Sequence, residues 1–213
     1  MIAETKPDAL IIVSVDRYHA EYLIRGLEYD LDVISEKPMT TNTEDSLRVL
    51  AAEEKSKGKV ICTFNYRYNP IHTKLKELVL AGKVGRVTHV DLNWYIDIEH
   101  GSSYFHRWNR MRENSGSLSI HKSSHHFDLV NWWLDSVPVT VYAMGDLKFY
   151  GRENAEERGV TKFYYRSTNC ENAKGDPFAA NISVGGNKVL YYDCEQDDGY
   201  LRDQSVFGDG ISI

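Results

Sequence analysis

The first apolar run in the chain, residues 9–15, reads Ala-Leu-Ile-Ile-Val-Ser-Val and is rich in β-branched residues. It predicts a strand buried on both faces, as in a parallel sheet. Residues 20–29 place Tyr22, Leu23 and Leu27 at helical spacing, and residues 32–35 form a second short strand. A helix capped by Thr41 or Thr43 runs to about Lys57 and closes at Gly58, and residues 60–64 give a third strand. Strand, helix, strand, helix, strand is half of a doubly wound α/β sheet. Residues 71–80 predict a further helix. Residues 86–97 then alternate, with Thr88, Val90, Leu92, Trp94 and Ile96 opposing Val87, His89, Asp91, Asn93 and Tyr95, which predicts a half-buried strand of an open sheet. Residues 138–144 predict another strand. Between them, residues 99–112 read as an aromatic and basic loop. Residues 150–188 read as a long polar excursion, with 162–165 and 189–192 as short ordered pieces.

In doubly wound sheets, ligands bind beyond the carboxyl ends of the strands. Three polar clusters fall at those ends here: Ser14, Asp16 and His19; Glu36 and Lys37; Asn65 and Arg67. The fingerprint G-x-G-x-x-G is not in the sequence, and the only glycines before residue 80 are Gly26 and Gly58. A phosphate-cradling first β-turn-α unit is therefore not encoded here. Residues 1–8 lead almost at once into a buried strand, and residues 207–213 end as another strand begins. The chain reads as incomplete at both ends.

The second concentration of chemistry is Gly116-Ser-Leu-Ser-Ile-His121-Lys-Ser-Ser-His125-His-Phe-Asp128, a turn running into a helix that reaches Leu134. At about 100° per residue, His121, His125 and Asp128 share one narrow arc, while Ile120, Phe127, Val130 and Leu134 form an apolar stripe pointing the other way. The arc is either a solvated polar face or a working site. His121-x-x-x-His125 also has zincin spacing, but Lys122 stands where that motif has its glutamate, and a cation there opposes Zn²⁺. No metal site is expected.

With Glu36-Lys37-Pro38 placed after a strand and residues 116–128 at a helix start, the chain resembles the Gfo/Idh/MocA oxidoreductases. These are the glucose–fructose oxidoreductase and inositol dehydrogenase family. The likeness covers about residues 8–149. It implies an α/β fold, here a partial Rossmann domain (a doubly wound parallel sheet) over residues 1–69. An α/β domain with a large open, mostly antiparallel sheet follows over 70–213. It implies NAD or NADP as cofactor and homo-oligomers, dimers or tetramers, formed through the open sheet. By position, Lys37 lies next to nicotinamide and substrate, and His125 is the catalytic histidine. Ser14, Val15, Asp16, His19, Glu36, Pro38 and Asn65 match cofactor-lining loops, and Arg67 matches the segment leading into the substrate domain. His121 departs from the pattern, standing where the family usually has Asp, and Ser123 stands where it often has Gly.

The residues suit that chemistry. Oxidising a secondary alcohol needs a base for the hydroxyl proton and a polar group for the developing charge on oxygen. A histidine, with its ordinary pKa of about 6.5, fits the first role at His125, and Lys37 fits the second. His121 and Asp128 would orient His125, relay its proton or bind a substrate hydroxyl. Tyr104, Arg107 and Trp108, with Arg67, would form a wall for a sugar, cyclitol or related polyol. An NAD-dependent glycoside hydrolase and a non-catalytic sugar- or nucleotide-sensing protein are the alternatives on the same scaffold.

Composition narrows the partners. With 213 residues and a net charge of −6, the chain has no basic stretch long enough to track phosphates, so nucleic acid is not an expected partner. Its apolar runs are strand-length, which gives no expectation of a membrane span. Cys62, Cys170 and Cys194 form no CxxC pair, and a reducing cytoplasm is the expected compartment.

Overall fold

The structure, a computed structural model, describes residues 1–209 and residue 211. The strand expected at 207–213 falls in part on residues 210, 212 and 213, outside the described residues. The chain divides into two compact units, one of residues 1–93 and 119–143, the other of residues 94–118 and 144–213.

The first unit holds the expected half sheet. After the short helix α1 (Ile2–Thr5) come β1 (Ala9–Ile12), α2 (His19–Leu27), β2 (Asp32–Glu36), α3 (Thr43–Glu53) and β3 (Val60–Thr63). The strands pair in parallel in the order β1-β2-β3, with Ile11 beside Ile34 and Ile34 beside Ile61. Asn42 caps α3 by accepting from Asp45 N at 2.8 Å. Ile12, Ala20, Leu23, Leu27, Val33 and Val49 form one buried cluster where α2 and α3 cover the sheet. Gly58 permits the return into β3, since a Cβ there would lie 1.9 Å from the Leu31 carbonyl oxygen.

β1 departs from expectation in two ways. It stops at Ile12 rather than residue 15, and it is not buried on both faces: Ile11 and Val13 are exposed. The reason is its place at the edge of the sheet, with a helix layer on one side only. The unit continues through α4 (Pro70–Leu80), whose first turn is capped by Asn69. It ends with α8 (Ser124–Leu134), which packs on α4 and on the 3₁₀ turn Asn65–Tyr68.

The expected strands at 86–97 and 138–144 do not form. Among the described residues neither segment has a ladder partner, and a lone extended segment satisfies no sheet hydrogen bonds. The described residues hold one sheet, of three parallel strands.

In the second unit the expected loop at 99–112 is instead ordered. It contains α5 (Ile98–His106), capped by Asp97 accepting from His100 N, then a 3₁₀ turn at Trp108–Arg110 and α6 (Arg112–Ser115). The charge run after residue 150 is likewise helical, as α9 (Arg152–Glu157). Residues 189–192 lie within a π-helical stretch, Lys188–Asp193, leading into α10 (Cys194–Asp198). This unit packs Phe105 on Tyr150 at 4.1 Å between ring centroids, and buries Arg110 with its guanidinium donating to the carbonyls of Phe105, Ser205 and Asp209. No helix among the described residues is long and apolar enough to cross a membrane.

Candidate active site

The polar segment 116–134 is two helices rather than one. Gly116, at φ 73°, ends α6 in the left-handed region that favours glycine. α7 (Leu118–His121) then closes, and α8 opens at Ser124. The polar arc is the buried one. His125, Asp128, Leu129 and Trp133 face inward while Ile120 and Phe127 are exposed, the reverse of an apolar stripe turned to the core. Periodicity grouped these residues correctly, but tertiary packing buried the face carrying the imidazoles.

Parallel pairing puts the carboxyl ends of β1, β2 and β3 on one side, and the polar clusters follow. After β1, Val15 O accepts from Tyr18 N to form a 3₁₀ turn carrying the buried Asp16. After β2, Glu36 Oε2 accepts from Lys37 N at 3.0 Å, and Lys37 precedes a cis peptide to the buried Pro38. His19, wholly buried, holds these two loops together: Nδ1 lies 2.7 Å from Pro38 O and Nε2 3.0 Å from Ser14 O. His19 thus braces the strand ends instead of presenting a ring edge to a ligand. Asn65 is exposed at the start of the 3₁₀ turn after β3.

α7 and α8 complete the cluster. Lys37 Nζ donates to His121 O at 2.7 Å, joining the β2 end to α7. His121 Nδ1 donates to Asp16 Oδ2 at 2.5 Å, joining α7 to the β1 end. Asp128 accepts from Arg67 twice, at 2.8 Å from Nε and 2.5 Å from a terminal nitrogen, so these residues engage each other. His125 lies against Tyr66, with ring centroids 4.0 Å apart and planes 7° from parallel. Lys122, buried, donates to the Tyr66 hydroxyl at 2.9 Å.

Burial and neighbouring charge set the protonation of these groups. His125 is pressed down to about 3, first by burial and then by Lys37 and Lys122, with His126 and His121 adding to the effect. Burial also lowers Lys37, opposed by Asp16 and Glu36. Cys62, nearby, is pushed up to about 11 by burial and by the charges of Asp128 and Glu36. The Asp128 hydrogen bond raises Arg67.

Two participants were not singled out from sequence. Tyr66 stands between the chosen Asn65 and Arg67, and an aromatic at a strand end was its only signal. Lys122 follows His121 directly, which on a continuous helix turns it about 100° away, yet the break between α7 and α8 leaves it buried against Tyr66. Tyr104, Arg107 and Trp108 belong to the second unit. There Tyr104 OH lies 3.0 Å from His100 Nε2, Arg107 covers the Tyr191 ring, and Trp108 meets Tyr200 edge-on. Among the described residues no three His, Cys, Asp or Glu side chains group to hold a metal ion.

A lysine and an imidazole pair gathered at the carboxyl ends of a parallel sheet suit a nucleotide-dependent redox site. Residues 1–64 match a family described as "Oxidoreductase family, NAD-binding Rossmann fold", and residues 76–198 match its "C-terminal alpha/beta domain". The chain belongs to this Gfo/Idh/MocA oxidoreductase family. Within the family it is 56% identical over its whole length to the Bacillus subtilis (strain 168) protein YteT, named as an oxidoreductase, and covers 52% of that protein. It is 30% identical to the inositol 2-dehydrogenase of Corynebacterium glutamicum (strain R), over 66% of this chain and 39% of that enzyme. The WlbA dehydrogenase of Bordetella pertussis, whose structure holds NADH and UDP-GlcNAcA, superposes with a TM-score of 0.54 at 26% identity, over 63% of this chain and 39% of that one. The chain thus spans about half the length of YteT and less of the others.

Proposed function

We propose that this oxidoreductase transfers hydride between a nicotinamide cofactor and a secondary hydroxyl of a sugar, cyclitol or related polyol. The observation that carries this reading is the hydrogen bond from Lys37 Nζ to His121 O in α7, with the His125 ring of α8 stacked on Tyr66, at the carboxyl rim of the parallel sheet. The named activities of the inositol dehydrogenases support the polyol class.

The residues present fit the nicotinamide end of NAD or NADP. His125 Nδ1 is buried with no hydrogen-bond partner, close enough to Lys37 to feel its charge, and Ser14, Asp16 and Glu36 line the strand ends. When bound, the cofactor supplies the hydride acceptor. The Lys37 ammonium donates to the alcohol oxygen as negative charge develops there. An imidazole of the 121/125 pair takes the hydroxyl proton. Arg67 and Asp128 fix α8 against the β3 end, holding His125 in place.

The test measures reduced-nicotinamide fluorescence for binding and reduced-nicotinamide absorbance for turnover across inositols and aldoses. Binding with turnover of at least one polyol is expected. Cofactor binding without turnover on any of them would set this reading aside in favour of a sensor.

A further inference from the structure

The buried and partly buried arginines of the second unit are fixed by oxygen partners, with one exception. Arg110 donates to three carbonyls, Arg166 pairs with Glu195 and Asp203, Arg202 with Asp198, and Arg152 with Asp209. Partly buried Arg107 has neither a carboxylate nor a hydrogen-bonded oxygen at its guanidinium among the described residues. Its Nε is buried without a partner, and its guanidinium lies over the Tyr191 ring, 5.1 Å from the centroid.

A guanidinium drawn partly out of water without a counter-charge is costly, and an aromatic face offsets only part of that cost. The Tyr191 ring holds the guanidinium plane, so its terminal N–H donors are pre-positioned for one carboxylate, which takes two parallel hydrogen bonds from such a fork. Tyr191 lies in the π-helical stretch Lys188–Asp193, a backbone form found often at functional sites. Two positions after Arg107, Asn109 is 7% exposed, and its Oδ1 is also buried with no partner. An amide oxygen so placed is satisfied by a hydroxyl donor. Trp108, between the two in sequence, meets Tyr200 edge-on. Aromatic walls with a few fixed polar groups suit a ligand that is apolar on its faces and hydroxylated at its edge, as a sugar ring is.

We propose that the second unit binds a carboxylate-bearing sugar, a uronic acid, with Arg107 taking the carboxylate and Asn109 accepting from a sugar hydroxyl. The sugar half of this inference rests on the polyol reading above; the acid half rests on Arg107. It narrows that reading from polyols at large to acid sugars. Neutral sugars and inositols bring no charge to Arg107. Inorganic phosphate brings charge but no ring for the aromatic walls, and a single guanidinium matches a single carboxylate better than a doubly charged phosphate.

Isothermal titration calorimetry on the whole chain, without cofactor, tests this with D-glucuronate, D-galacturonate, D-glucose, D-galactose and inorganic phosphate. At least one uronate is expected to bind about 10-fold or more tighter than its neutral counterpart, with the preference shrinking as salt is raised. Arg107→Met keeps an apolar stem over Tyr191 and is expected to erase the preference, the uronate falling about 10-fold or more to the level of the neutral sugar. Arg107→Lys keeps the charge without the fork and is expected to retain part of the preference, which separates loss of charge from loss of fold. Asn109→Ala is expected to weaken uronate and neutral sugar alike. No binding of either uronate, equal binding of acid and neutral sugars, uronate binding unchanged in Arg107→Met, or phosphate binding as tight as the uronate overturns the proposal. Turnover of a neutral polyol with no uronate preference overturns this site and leaves the dehydrogenase reading standing. A uronate preference erased by Arg107→Met, in a protein that reduces nicotinamide with no polyol, supports this site and sets the dehydrogenase reading aside.

Discussion

Tyr66 lies flat on His125, ring centroids 4.0 Å apart and planes 7° from parallel, and the Lys122 ammonium closes over the Tyr66 hydroxyl at 2.9 Å. Burial and this cationic surrounding hold the His125 imidazole down to about 3. An unfolded histidine titrates near ~6.5. Between the two values the unfolded chain binds the extra proton, so stability falls as pH drops below about 6.5 and the loss ends near about 3. Wild type is therefore expected to lose on the order of 3 kcal/mol more than His125→Gln between pH 7 and 4, read as urea unfolding free energies. Equal losses would contradict the buried neutral imidazole.

Lys37 follows the same rule in the same direction, at higher pH. Burial lowers it, so the folded site carries a cost for the charged form that an apolar replacement removes. In the interval between its folded value and the ordinary lysine value, stability rises with pH, because the unfolded chain holds the proton longer. Lys37→Met is expected to be at least as stable as wild type at pH 7, and wild type is expected to gain on it as pH approaches about 10.5. Paired urea titrations at pH 7 and 10 check this; a destabilised Lys37→Met with no pH-dependent convergence would contradict it.

Arg67 and Asp128 join the turn after β3 to α8 through two hydrogen bonds. Asp128 is nearly buried, while Arg67 keeps about two-fifths of its side chain in water. Arg67→Met leaves a buried carboxylate without its partner and is expected to cost about 2 kcal/mol, less than a fully buried pair because of that exposure. The double variant Arg67→Met, Asp128→Asn is expected to recover part of the loss in a double-mutant cycle. Strict additivity would show that the pair contributes nothing.

Cys62 sits among Asp128 and Glu36, and its thiol is pushed up to about 11, whereas Cys194 is exposed. Iodoacetamide at pH 8 is expected to alkylate Cys194 at least about 10-fold faster than Cys62, because the thiolate is the reacting form. Peptide mapping over a time course reads the ratio. Faster labelling of Cys62 would contradict the placement.

Much of the first unit was legible because its signals are local. Apolar runs, a capped helix and strand-end polar residues fixed β1, β2 and β3 within a few positions, and the motif at residues 36–38 marked the rim. The alternation at 86–97 was equally clear, yet a strand exists only with a partner, and pairing is not a local property. Helical spacing showed that His125 and Asp128 share a face. It did not show that packing on α4 and on the 65–68 turn buries that face and leaves Phe127 exposed. Asp16 and His121 stand 105 positions apart, and nothing in the chain between them announces their hydrogen bond.

Direct hydride transfer from a polyol carbon to the nicotinamide is read by isotope transfer. The protein is incubated with NAD⁺ and myo-inositol carrying deuterium at its ring carbons, then with correspondingly labelled aldoses, and the nicotinamide is analysed by mass spectrometry. Wild type is expected to place one deuterium on the reduced nicotinamide from at least one of these substrates, and Lys37→Met to reduce the rate by about 10² or more. Bound cofactor that acquires no deuterium from any labelled polyol would rule out hydride transfer from this substrate class.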